Sequence, residues 1–241
     1  MYIKKSLGFS LVELMISLAL GTLVIAMISG LYVSGVVNNI HGLKYSRLKS
    51  DLQTLMYIME TDIRRAGFRG DTDSYALGTL SGPNNFMWEE SISHTIGSGA
   101  AATTVTLDAG IAAKILTFNT VANSCILFKY DIDKSGGTPD TNEHFGYRLN
   151  GSVIEMSTNS SSSPASCDDG DWVSITDSNS MTISKLKFYD APPEGIAPIT
   201  SDYSRMRFIT IELEGAVSIG DGTATESIKS AVQIRNLELF R

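Results

Sequence analysis

Cysteine and histidine are scarce in this chain, and neither is arranged for metal or redox chemistry. Cys125 and Cys167 form no C-x-x-C pair, and His41, His94 and His144 stand in unrelated contexts. No G-x-S-x-G elbow, G-x-G-x-x-G turn or phosphate-cradling Walker-type loop occurs. Residues 160–163 are a flexible serine tract. A positive surplus is missing as well: 19 Lys and Arg face 26 Asp and Glu, for a formal net charge of −7. Phosphate binding needs clustered cations, so no nucleic acid partner is expected. Two short basic clusters, residues 44–49 and 64–69, are interleaved with apolar residues and read as a solvated helix face. These absences point to a structural or binding protein and away from an enzyme. With 43% hydrophobic residues, wholesale disorder is excluded.

The apolar content is concentrated at the start. Over residues 9–37 the only charged side chain is Glu13. Residues 9–28 would rise about 30 Å as an α-helix, the thickness of a bilayer core. Lys4 and Lys5 precede this run, so the N-terminus is expected to stay cytoplasmic while the chain beyond crosses. The run is longer than a secretory h-region, and no A-x-A site follows it. An intramembrane carboxylate costs on the order of 3 kcal/mol, so Glu13 needs a partner. Cleavage between Gly8 and Phe9 would create one: an α-amine one helical turn away. The plain alternative is a single-pass anchor with Glu13 near the headgroups.

The string KKSLG-FSLVEL resembles the leader and cleavage motif of type IV pilins and type II secretion pseudopilins. In that family a short basic leader ends in Gly, Phe follows, and a glutamate stands fifth in the mature chain, here Glu13. The resemblance implies removal of residues 1–8 after Gly8 by a prepilin peptidase and N-methylation of Phe9. It also implies an α+β fold, with a long N-terminal α-helix, its first half transmembrane, packed on an antiparallel β-sheet domain.

Further along, Leu48, Leu52, Leu55, Met59 and Ile63 form one apolar stripe of an amphipathic helix. Gly67 and Gly70 then supply a stop. One helix is therefore expected over residues 9–66, with 9–30 in the membrane and loosening around Gly30, Gly35 and Gly42. The closing string Asp62-Ile63-Arg64-Arg65-Ala66-Gly67-Phe68 resembles PilW-type minor pilins and the related J-type minor pseudopilins. It reads as a helix end that Gly67 caps and from which Phe68 tucks into the sheet.

The remainder, residues 67–241, is expected to be one periplasmic β-rich domain. Residues 71–102 look irregular. Strand candidates are 103–107, 114–118, 125–130, 144–149, 152–156, 181–189, 205–214 and 227–239. Asn150-Gly151 marks a hairpin, and Gly220-Asp221-Gly222 a second one at the end. Residues 159–171 and 191–202 read as loops. In an exported domain, Cys125 and Cys167 most simply form one disulfide; two buried free thiols are the alternative.

One segment invites a metal. Asp131, Asp133 and Ser135 alternate as in an EF-hand loop, with Gly136 at the sharp turn and Asp140, Asn142 or Glu143 able to add oxygens. The twelfth position is Asn142, however, Glu143 comes one residue late, and no helices flank the loop. An acidic turn between strands accounts for the same residues, so Ca2+ stays an open option and no other cofactor is expected.

Taken together, the expectation is a minor, low-copy pilin of the bacterial inner membrane that helps prime pilus assembly, with a place at the tip. Expected partners are other minor pilins, the major pilin and the prepilin peptidase. The alternatives are a J-type minor pseudopilin and, in another class, a membrane-anchored calcium-dependent binding module that never polymerises.

Overall fold

The computed structural model describes residues 8, 10–70, 86, 91–96, 103–108, 113–135, 139–157, 166–190 and 208–234, the strands at 91–96 and 103–108 by backbone alone. The expected leader residues 1–7, Phe9, the serine tract and the loop at 191–202 lie outside the described residues. Two compact units are present, Met1–Arg47 and Leu48–Arg241. They are described in turn.

Helix α1 spans Leu11–Arg65 and begins in the first unit. It stays helical at Gly30, Gly35 and Gly42, where loosening was expected from sequence. It is long and apolar enough to cross a membrane. Up to Tyr45 its large apolar side chains are exposed. Its hydroxyls bond back to the helix's own carbonyls: Ser17 Oγ donates to Glu13 O at 2.7 Å, Thr22 Oγ1 to Ala19 O at 2.9 Å and Ser29 Oγ to Ile25 O at 2.8 Å. Such back-bonding lets Ser and Thr sit in hydrocarbon without an orphaned polar atom.

In the second unit α1 changes character. Leu48, Leu52, Leu55, Met56, Met59 and Ile63 are buried. Each such side chain stabilises by roughly 1.5–3 kcal/mol relative to exposure. They face the main core, to which strands of two sheets contribute.

Among the described residues, three antiparallel sheets form the body. The first pairs β1 (Ser91–Ile96) with β2 (Thr103–Asp108). The second has five strands in sequence order: β3 (Ala113–Phe118), β4 (Val121–Lys129), β5 (His144–Asn150), β6 (Val153–Ser157) and β7 (Trp172–Ser174). The third places β9 (Phe208–Ile219) between β8 (Thr182–Asp190) and β10 (Gly222–Gln233). Two strands correct the sequence expectation. β1 falls in the stretch taken as irregular, because its alternation of Ser, His and Thr with only two isoleucines gives little apolar signal. β7 is three residues long, too short for any period to register.

The expected hairpins form with small shifts. Asn150 pairs with Val153, so the turn is Gly151-Ser152, with Gly151 at φ 61°. Ile219 pairs with Gly222 around Gly220-Asp221, with Gly220 at φ 57°. Glycine takes these left-handed values without strain.

In β8 the inward residues are Ile183, Leu186 and Phe188, an interval of three followed by two. Strict alternation would turn Ile183 outward. A bulge at Ser184, where the register skips from Ile183↔Gly215 to Lys185↔Glu214, restores the phase. Ser184 Oγ then donates to the Glu214 carboxylate at 2.8 Å. β4 is different: Ser124 to Phe128 are all buried. Ile126 and Phe128 enter the main core, while Cys125 and Leu127 enter a second cluster with Phe118 and Cys167. A strand covered on both faces carries a continuous apolar run, here Cys125-Ile126-Leu127-Phe128.

Helix and third sheet meet closely at Gly215. A Cβ there would lie 2.9 Å from Leu52 Cδ2 and 3.3 Å from Leu48 Cδ1. Gly215→Ala should destabilise by about 1–3 kcal/mol through overpacking. In a Leu52→Ala background most of that penalty should vanish, since the clashing atoms are gone. Denaturant melts of the four proteins measure this, and additive effects would show that the helix does not approach β9 here.

On the outer face of the third sheet, Lys185 and Lys229 hold Glu212 down to about 2, at 2.7 and 3.0 Å. A depressed carboxyl contributes stability above its ordinary value of 4.5, lost as pH falls toward about 2. Glu212→Gln should therefore be less stable than the parent at neutral pH, with the gap closing over that window. Thermal melts across pH test it; a constant gap would exclude the linkage.

Candidate functional site

Gly8 is exposed, and among the described residues no atom lies within 4 Å of where a Cβ would stand. Its expected scissile partner Phe9 is not among the described residues. Leu14 N donates to Ser10 O at 3.1 Å. Glu13 lies in the first turn of α1, where a carboxylate is favoured by the helix dipole. Among the described residues no cation pairs with it. The adjoining helix surface, as far as Val37, is mostly apolar and exposed. Chemically this is an acid set at the N-terminus of an otherwise uncharged apolar rod, suited to receive an ammonium.

The string Asp62–Phe68 ends the helix as its sequence suggested, with Gly67 at the turn and Phe68 packed inward, and it adds contacts that the sequence did not disclose. The Tyr147 hydroxyl donates to Asp62 Oδ2 at 2.5 Å. Ile63 and Ala66 are fully buried. The Arg65 guanidinium lies 4.5 Å from the Tyr130 ring centroid, and Tyr130 stacks on Phe145 at 4.0 Å. Gly67 takes φ 75° and its N–H donates to the Lys129 carbonyl at 2.7 Å. Phe68 packs against the main core, and its carbonyl accepts from Asp131 N at 2.9 Å. The string thus ties the helix end to β4 and β5. Burial first, then the hydrogen bond and charge of Asp62, raises the Tyr147 hydroxyl well above its ordinary value. Burial and the Asp62 charge push Tyr130 up to about 12, against the opposing effect of Arg65. Tyr147 was missed on sequence; the alternation Phe128-x-Tyr130 facing Phe145-x-Tyr147 is the signal that could have found it.

The acidic loop follows β4. Oxygens of Asp131, Asp133 and Glu143 all lie within 4.8 Å of one another. Of the calcium candidates, Asp131 and Asp133 belong to this group. Ser135 and Asp140 contribute backbone donors, Ser135 N to Asp133 Oδ1 at 2.9 Å and Asp140 N to Glu143 Oε2 at 2.8 Å. The two buried acids are already engaged. Asp131 accepts from Lys134 N at 2.6 Å and Gly70 N at 2.9 Å, and Glu143 also accepts from Ile132 N at 3.0 Å. Burial raises the Glu143 carboxyl above its ordinary value; Asp131 and Asp133 add to this, and the two amides oppose it. Beside it, burial lowers His144, whose Nδ1 donates to the Asp140 carbonyl at 3.1 Å. The same carboxylates that could face a cation organise the turn and bind it to the helix end at Gly70.

Cys125 and Cys167 are joined in a disulfide across 42 residues. Closing a loop of that length stabilises by roughly 4 kcal/mol in the chain-entropy picture. Arg148, opposite Cys125 on β5, locks the pair in place. Its guanidinium is sandwiched at 4.4 Å from Phe118 and 4.3 Å from Trp172. It bonds the Glu155 carboxylate at 2.7 Å and donates to the Cys167 carbonyl. Gly146 leaves room for Trp172, since a Cβ there would come within 2.9 Å of the indole. Sequence suggested the disulfide but not the packing around Arg148, whose partners come from β3, β6, β7 and the segment at Cys167.

A family model described as prepilin peptidase-dependent protein B matches residues 41–234. A model of the prokaryotic N-terminal methylation motif matches residues 3–29. No curated protein and no solved structure matches the chain.

Tyr147→Phe should cost about 1–3 kcal/mol, because it leaves the half-buried Asp62 carboxylate without its donor. Asp62→Ala should cost a similar amount, and the double variant less than the sum. Equilibrium unfolding of the three variants reads out the coupling; strict additivity would show that the pair does not interact.

Proposed function

Because the chain belongs to the prepilin peptidase-dependent protein B family and carries the methylation motif of type IV pilin-like proteins, we propose that it is a low-copy minor pilin that primes pilus assembly from the tip. It is held in the bacterial inner membrane by α1, with its β-rich body in the periplasm. Prepilin peptidase removes residues 1–8 and the new N-terminus at Phe9 is methylated. The carboxylate of Glu13 pairs with the Phe9 amine of a neighbouring subunit, the major pilin or another minor pilin, while apolar helix faces pack together. The body meets the other minor pilins at the tip.

The observation that carries this reading is Glu13: one acid in the first turn of a helix that is long and apolar enough to span a bilayer. A lone carboxylate in hydrocarbon is unfavourable, and a pair removes two isolated charges at once. A simple anchor has no use for it.

Mass spectrometry of the mature protein is the direct test. The expected N-terminus is Phe9 with an added methyl group, and Gly8→Ala should keep the leader attached, because a Cβ before the scissile bond does not fit the peptidase. An intact leader on the native protein would overturn the proposal. Co-purification with secretion pseudopilins instead of pilins would favour the J-type role.

Glu13→Ala should leave insertion and cleavage intact, with insertion improved, yet reduce incorporation into the filament or tip complex. The Phe9 amine of the neighbour would then be buried without a partner, a loss of roughly 3–5 kcal/mol. Membrane crosslinking and recovery in sheared surface fractions measure the defect. A topmost subunit has no neighbour above it, so undiminished recovery would count against a role within the filament body and leave only a topmost position open.

A further inference from the structure

We draw no further inference here: the strongest candidate, the cluster of Asp131, Asp133 and Glu143 in the loop between β4 and β5, carries nothing because backbone amides already hold its two buried carboxylates and no second feature among the described residues points to a cation.

Discussion

One helix has to satisfy two solvents, and the organisation of the chain follows from that demand. From Leu11 to Val37 the side chains of α1 are, Glu13 aside, mostly apolar and exposed, a surface suited to lipid or to other apolar helices. From Leu48 onward the apolar residues contract to a stripe that is buried within the second unit. Backbone polar groups are satisfied internally throughout, so the helical conformation suits both environments. The hydroxyls of Ser17, Thr22 and Ser29 follow the same rule by bonding back to carbonyls. Glu13 is the one charged side chain between Leu11 and Val37.

The stripe needs a matching surface, and the third sheet supplies it through phase and clearance. The bulge at Ser184 keeps Ile183 and Leu186 on the same side, and Gly215 lets the helix come close to β9. The helix end is then held by polar and aromatic contacts: Asp62 with Tyr147, Arg65 over Tyr130, and Gly67 on Lys129. The acidic loop is part of the same arrangement, since Asp131 binds both Phe68 O and Gly70 N. The loop that the sequence offered as a metal candidate also buttresses the helix terminus.

Behind β4 lies a smaller cluster that would be too thin to hold itself together by apolar burial. Among the described residues it contains Phe118, Cys125, Leu127 and Cys167, with Leu116 and Trp172 half-covered. The disulfide and the stacked Arg148 compensate, one by limiting the unfolded chain and the other by filling space between two rings. Arg148 is partly buried, and removing Glu155 would leave its charge poorly compensated.

Local pattern sufficed wherever a period or a fixed spacing carried the information. The apolar run with Glu13, the stripe from Leu48 to Ile63, the glycine stop and the two hairpin turns are each read within one continuous stretch of chain. The antiparallel body followed from strands with β-type composition, most of which form within a few residues of their expected bounds. The grouping of strands into three sheets did not follow, because pairing joins segments through contacts that leave no trace in either one alone. β1 and β7 were too polar or too short to show a period. The partners of Asp62, the stacking of Arg148 and the joining of Asp131 to Glu143 are side-chain meetings between distant segments. Only the folded backbone sets those distances, because hydrogen bonds and ring contacts depend on ångström-scale placement and residue order constrains them weakly.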